Sequence, residues 1–343
     1  TLEALLRDMS VILSANIGDK PLEVLYDLDP RVPDGLVGDD MRLRQILINL
    51  GGNAVKFTER GQVVVRTRLL AMHGAEAEVA FDVTDSGIGI SNEDQQRLFR
   101  DFVQANGARS RRYGGSGLGL GICQRLIGLM GGSLQVQSAL GSGSTFSFNL
   151  RLPLASPAGA GVQPLRPPLR VLFADDNALA RRTFEAMARG MCWHVDVVAD
   201  GEEALVQMAR AHDAGQPYEA VFLDWSMPGL DGMQAAVRIR ALTQVPPPWL
   251  VMVTARGSEG QAVAPGIDSP LDGWLVKPLT PGMLRDALAA AALPVPAPVP
   301  AAGKALQGVR LLVAEDNAIN QQIALELLRG QGAQVDLAVD RQE

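Results

Sequence analysis

With 343 residues, 47% of them hydrophobic and 20% charged, the chain is long enough for two or three packed domains. A net charge of -7 without a long basic run argues against nucleic acid or an anionic membrane surface as partners. Cys123 and Cys192, both in apolar sequence surroundings, and three histidines without ligand spacing argue against a disulfide framework and a zinc site. Neither a signal peptide nor an apolar run long enough to span a bilayer is present.

The chain opens on a helical pattern, TLEALLRDMSVIL, and stops abruptly at DLAVDRQE, which reads as a piece of a longer protein. Residues 39–57 carry Leu43, Ile46, Leu47, Leu50, Ala54 and Phe57 at helical spacing. GQVVVRTRLL and AEVAFDVTD alternate like strands covered on one face. A polar loop runs into the glycine-dense YGGSGLGLGI, and a helix follows Gly121 with Ile122, Leu126, Ile127 and Met130 on one side. LQVQSA and STFSFNLRL close the block as a hairpin. The order is helix, hairpin, long loop, helix, hairpin, which predicts a mixed sheet with helices on one side, a two-layer α/β sandwich.

Two Pro- and Ala-rich segments, 153–168 and 293–303, read as linkers and divide the chain into 1–152, 169–292 and 304–343. The middle block alternates five strands with helices, from RVLFAD to GWLVKP, and predicts an open, parallel, doubly wound sheet whose ligands lie beyond the carboxyl ends of its strands. The last block repeats the start of the middle one at an offset of 140, with Asp176, Asn177 and Asp196 matching Asp316, Asn317 and Asp336. It ends within its second strand. Such a fragment leaves apolar faces and edges uncovered and is expected to be poorly stable alone.

The first block's polar groups suit a nucleotide. The carboxylate of Asp85, in DSGIG after a strand, can accept from an adenine amino group, with Gly87 and Gly89 turning the chain under the ring. Asn53 offers Mg2+ an oxygen, and Lys56, three residues on, can meet a phosphate. Backbone amides of the loop holding Gly115, Gly117 and Gly119, with the following helix start, can cradle phosphates; Arg111 and Arg112 can add charge. In RQILINLGGNAVKFT, DVTDSGIGI, RLFRDFVQ, YGGSGLGLGI and GSGSTF, this block resembles the catalytic ATP-binding domain of sensor histidine kinases. That fold is shared with gyrase, the Hsp90 chaperones and the MutL repair proteins. The resemblance covers 36–150. It implies Asn53 as the Mg2+ ligand, Asn49 near the reacting histidine, Asp85 on adenine, Thr145 near the phosphates, and Phe99 and Phe102 in the F box.

In the middle block, Asp175 and Asp176 end the first strand, Asp224 the third, Thr254 the fourth and Lys277 the fifth. Converging carboxylates repel, so either their pKa values are raised or a divalent cation, by ligand type Mg2+, sits among them. Asp224 can then act as nucleophile on phosphorus, with Lys277 offsetting phosphoryl charge and Thr254 donating to a phosphoryl oxygen. Over 169–290 the block resembles the receiver domains of two-component signalling. This implies a flavodoxin-like (βα)5 fold, Asp224 as phosphoacceptor, Asp175 and Asp176 as metal residues, and the Ser226 carbonyl as a further ligand. Trp274 matches the family's aromatic switch position, and Asp231 is expected to cap the next helix. The Gly- and Pro-rich stretch after Thr254 departs from the family's usual helix. The last block has Glu315 and Asp316 but ends before an acceptor or lysine.

Together these resemblances imply a hybrid sensor histidine kinase that uses ATP and Mg2+. The phosphoryl group passes from a histidine upstream of this chain to Asp224, since none of His73, His194 and His212 lies on a suitable hairpin. Residues 1–16 are then the tail of that hairpin or the link to it. Implied partners are the upstream dimerising helices of the same parent, a downstream histidine phosphotransfer domain and a response regulator, in a homodimeric parent; nucleic acid is not among them. The implied location is the cytoplasmic side, with anchoring of the parent in the bacterial inner membrane left open. Two other classes compete: a nucleotide-binding regulatory scaffold with a phosphorylatable switch but no effective kinase activity, and a conformational ATPase. An aspartyl acceptor has no place in the latter.

Overall fold

The computed structural model describes residues 1–95, 98, 118–155, 169–242, 246–255, 269–292, 306, 308–314, 328 and 332–338. Thr1–Ala291 form one compact unit holding two five-stranded sheets, and Ala292–Glu343 form a second unit.

The first sheet comprises β1 (Leu22–Leu28), β2 (Gly61–His73), β3 (Glu76–Asp85), β4 (Gln135–Ala139) and β5 (Gly143–Pro153), in the order β1-β2-β3-β5-β4. β1 runs parallel to β2, and the remaining pairs are antiparallel. Helices α1 (Leu2–Ile17), α2 (Asp40–Phe57) and α4 (Leu118–Leu129) carry its core; α3 (Asn92–Gln95) is a single turn. The strand period of two sends Val79, Phe81 and Val83 of β3 and Phe146, Phe148 and Leu150 of β5 into that core, where Phe81 and Phe148 stack with centroids 5.0 Å apart.

Two sequence expectations need correction. The first is that β1 was absent from the predicted order, although LEVLYDL forms an edge strand. The second concerns the helix after the glycine loop, which turns Cys123 and Ile127 into the core and leaves Ile122 exposed. Residues 1–16, expected as the tail of the hairpin or the link to it, lie in α1, which buries Leu5, Leu6, Met9, Leu13 and Ile17 in the same core as α2, at the spacing of one helix face.

The second sheet is fully parallel, in the order β10-β9-β8-β6-β7: β6 (Arg170–Ala174), β7 (His194–Val198), β8 (Ala220–Asp224), β9 (Trp249–Thr254) and β10 (Gly273–Val276). Helices α5 (Ala178–Gly190) and α8 (Pro281–Ala292) cover one face through Phe184, Met187, Leu284 and Leu288. Helices α6 (Gly201–Asp213) and α7 (Gly232–Ala241) cover the other through Met208, Ala235 and Ile239. This is the predicted doubly wound fold. Asn177, Asp200 and Asp231 cap α5, α6 and α7, each accepting from amides of the first turn.

In the second unit β11 (Arg310–Ala314) pairs in parallel with β12 (Gln334–Ala338). Its Arg310–Asp336 ion pair, 2.9 Å, repeats the Arg170–Asp196 pair, 3.0 Å, at the offset of 140. Among the described residues, no helix is long and apolar enough to cross a membrane.

Candidate functional site

In the first sheet, the end of α2, the turn after β3 and the turn before β5 are tied together. Asp39 caps the start of α2 by accepting from the Arg42 amide at 3.0 Å. Lys20 Nζ caps its end, donating to the carbonyls of Val55 (2.8 Å), Lys56 and Thr58 (both 3.2 Å). Asn49, Asn53 and Lys56 are half-buried along this helix. The Asn49 side chain hydrogen-bonds the buried Cys123 thiol, which burial pushes up to about 11. Lys56 Nζ lies 5.5 Å from the centre of the Phe57 ring.

Asp85 ends β3 and is buried. Its Oδ1 accepts from the Gly87 amide at 2.8 Å, and it is opposite Ser144 of β5. Burial pushes its carboxyl above the ordinary range, against hydrogen bonds from Gly87 and Ser144 that pull it down. The 86–89 turn packs closely: a Cβ on Gly87 would stand 2.4 Å from the Phe57 carbonyl oxygen, and one on Gly89 would stand 1.9 Å from that of Ala139. The Thr145 hydroxyl lies 3.1 Å from that of Thr84. The buried carboxylate and the exit of the asparagine-bearing helix are therefore held against one another by the 86–89 turn. Phe99, Phe102, Arg111, Arg112, Gly115 and Gly117 lie outside the described residues.

The parallel sheet brings its predicted residues to one edge. Asp175 follows β6, Asp224 ends β8, Thr254 ends β9 and Lys277 follows β10, and all four are buried, with Asp176 exposed beside them. The carboxylate oxygens of Asp175, Asp176 and Asp224 lie within 4.8 Å of one another. Lys277 Nζ is 2.7 Å from Asp175 Oδ2 and 2.8 Å from Asp224 Oδ1. The Asn177 amide donates to Asp175 at 2.8 Å, the Ser226 amide to Asp224 at 3.1 Å, and Arg181 to the Asp175 carbonyl at 2.6 Å. The Lys277 amide donates to the Thr254 carbonyl at 2.8 Å.

Burial pushes Asp175 up to about 7 and Asp224 upward too, against the pull of the Lys277 ammonium. Burial alone would lower Lys277, but Asp224, Asp175 and Glu23 outweigh it and hold the amine protonated. Glu23 and Asn177 are the site residues that sequence reasoning missed. Glu23 comes from β1, and both Lys277 and the Asn177 side chain donate to it. The available signal was an acidic residue, Glu23, set among the apolar residues of LEVLYDL. Trp274, at the aromatic position, is 37% exposed. Glu315 and Asp316 lie outside the described residues.

An ATPase layer followed by a receiver-type parallel sheet defines the catalytic and receiver region of a hybrid sensor histidine kinase. Residues 38–155 match the family of histidine kinase-, DNA gyrase B- and HSP90-like ATPases, and residues 171–289 match the response regulator receiver domain. The chain is 35% identical over 307 residues to the sensor histidine kinase AruS of Pseudomonas aeruginosa, covering 87% of this chain and 30% of that protein. It is also 35% identical over 350 residues to the virulence sensor protein BvgS of Bordetella bronchiseptica, covering 92% and 28%. Among solved structures, full-length ShkA in complex with AMPPNP superposes with a TM-score of 0.61 at 30% identity, covering 99% of this chain and 66% of that one. The chain belongs to the hybrid sensor histidine kinases and carries their ATPase and receiver domains. It spans about a third of the length of these two relatives.

Proposed function

We propose that the chain supplies the ATP-binding and receiver steps of a phosphorelay: ATP phosphorylates a histidine on the parent protein's upstream dimerising helices, and Asp224 takes the phosphoryl group from it. The observation that carries this reading is the buried Asp224 carboxylate with Lys277 Nζ 2.8 Å away and two further carboxylates beside it. Crowding like charges in a buried site is costly unless an ion or a reaction needs them.

On the ATPase side, Asp85 accepts from the adenine amino group, Asn53 ligates Mg2+, and Lys56, Thr145 and the loop holding Gly115, Gly117 and Gly119 serve the phosphates. Gly87 and Gly89 keep the turn under the base closed, and Asn49 faces the reacting histidine. On the receiver side the oxygen-only donor set of Asp175, Asp176 and Asp224, with the Ser226 carbonyl, fits Mg2+, which when bound neutralises phosphoryl charge. An Asp224 oxygen attacks phosphorus, the N–P bond of the phosphohistidine breaks, and its electron pair returns to the imidazole nitrogen. Lys277 and the Thr254 hydroxyl hold the phosphoryl oxygens on the new acyl phosphate. A downstream histidine phosphotransfer domain and a response regulator then receive the group. ATP as the donor puts this work on the cytoplasmic side of a homodimeric parent.

The test is intact-mass measurement after prolonged incubation with a small acyl phosphate and Mg2+. One phosphoryl group is expected on the wild-type chain and none on Asp224→Asn. A D224N chain that gains the same mass refutes the assignment.

A further inference from the structure

Lys277 meets three carboxylates, and only two belong to the parallel sheet. Its ammonium donates to Asp175 at 2.7 Å, to Asp224 at 2.8 Å and to Glu23 of the ATPase sheet. An ammonium has three N–H groups, so all three are engaged. The second Glu23 oxygen accepts from Asn177 Nδ2, and Asn177 is itself fixed by capping α5, its Oδ1 accepting from the Leu179 amide at 2.8 Å. Glu23 is thus clamped from two sides in the acceptor pocket, its side chain only 19% exposed.

The backbone around Glu23 is seated just as firmly. Two residues along β1, Leu25 is buried in the receiver's own core beside Phe184 and Leu279. On α1, Glu3, Arg7 and Ser10 stand at helical spacing and reach the same domain. Glu3 Oε1 accepts from the Thr280 hydroxyl at 2.5 Å and the Gly282 amide at 3.0 Å, Arg7 pairs with Asp286 at 2.7 Å, and the Ser10 hydroxyl donates to the Pro278 carbonyl at 3.2 Å.

We infer that the α1–β1 face of the ATPase domain is a docking surface for the acceptor end of the receiver, and that Glu23 occupies Lys277 in place of a phosphoryl oxygen. This rests on the reading of Asp224 as phosphoacceptor. A phosphoryl group on Asp224 brings oxyanions that need a donor, and Lys277 has none to give until one carboxylate leaves. Asp175 and Asp224 are fixed at strand ends by the Asn177 and Ser226 amides, whereas Glu23 leaves whenever the domain face lets go. The docked pocket also presents an added negative charge to an anionic phosphodonor. Docking and phosphorylation therefore oppose each other, and by linkage the acyl phosphate weakens docking by the factor that docking weakens phosphorylation.

The experiment compares the full chain with Glu23→Ala, Glu23→Gln and Glu3→Arg, with Asp224→Asn as control. Mass gain from a small acyl phosphate with Mg2+ is followed over time. E3R breaks the interface at Thr280 and Gly282 and leaves Glu23, Lys277 and the acidic residues in place, so a fast rate there points to release of the face and not to a changed pocket side chain. If docking leaves about a tenth of the molecules competent, release speeds labelling about tenfold in E23A and E3R. E23Q, which keeps the shape but not the charge, falls between. Phosphorylated wild-type chain should also exchange its α8 amides near Gly282 faster than unphosphorylated chain. Wild-type rates in both E23A and E3R with D224N silent overturn the docking inference and leave the acceptor standing. Labelling of D224N overturns the acceptor and the inference with it.

Discussion

Two glycines, Gly141 in the turn before β5 and Gly143 at its first position, separate conformational strain from steric exclusion. Gly141 and Gly143 have φ of +78° and +84°, where an L side chain is disfavoured, so alanine at either costs about 1–2 kcal/mol. Their surroundings differ. A Cβ on Gly141 meets nothing within 4 Å, whereas one on Gly143 stands 1.9 Å from the Asp85 carbonyl oxygen and 2.8 Å from its carbon. Both of those atoms are backbone, and Ser144 is paired with Asp85 in the sheet, so relief requires β3 and β5 to part. Overpacking of that kind adds about 1–3 kcal/mol. Gly143→Ala is therefore expected to cost about 2–5 kcal/mol and to displace the Asp85 carboxylate, while Gly141→Ala costs only the conformational term. Fluorescence cannot follow this, because all four tryptophans, Trp193, Trp225, Trp249 and Trp274, are in the receiver. Hydrogen exchange of the β3 and β5 amides in the full chain, with nucleotide titration beside it, reads both effects. Equal loss of protection in the two variants, or unchanged nucleotide affinity in G143A, would refute the reasoning.

Asp85→Ala should lower nucleotide affinity by about 1–3 kcal/mol in a calorimetric titration. Because burial raises the Asp85 pKa, wild-type affinity should begin to fall at a pH above the ordinary carboxylate range as the carboxylate is protonated; a fall confined to the range around 3.9 would count against a buried acceptor. Cys123, its thiol pushed up to about 11, should resist alkylation at pH 8 while the exposed Cys192 reacts, and peptide mapping that finds native Cys123 modified would contradict its burial. Lys277→Met strands two buried carboxylates and should destabilise the receiver by about 3–5 kcal/mol by denaturant titration of tryptophan fluorescence, with partial recovery in Mg2+. Asp175, raised to about 7 against about 3.9 unfolded, contributes stability at low pH that is lost as pH rises through the folded value. The K277M deficit should therefore be smaller at pH 5.5 than at pH 8, and a pH-independent deficit would contradict this sign.

The parallel sheet was legible because its strands are short apolar runs, each ending in a chemically distinctive residue; Asp175, Asp224, Thr254 and Lys277 could be placed by strand ends alone. Asp85 was legible for the same reason. β1 was not, because seven residues of LEVLYDL draw their strand character from pairing with β2 across α2, a partner that local periodicity does not reveal. α1 showed its helical pattern but not its destination: an apolar face fits a dimerising hairpin as well as it fits α2. Glu23 was hidden by both gaps, since its role depends on a strand not assigned and on a neighbour 254 residues away.

Strand β1 sends Leu22, Val24 and Tyr26 into the core of the first sheet and Leu25 into the core of the receiver. The border between the domains in space therefore does not coincide with their border along the chain. Severing the polypeptide within 156–168 would bare Leu25 on one product and the Phe184–Met187 seam on the other, giving both sticky surfaces. Unfolding of either sheet strips apolar cover from its neighbour, so each should melt at a lower temperature without the other. A receiver exchanged for one from another kinase would need a matching socket for a single leucine before its chemistry mattered.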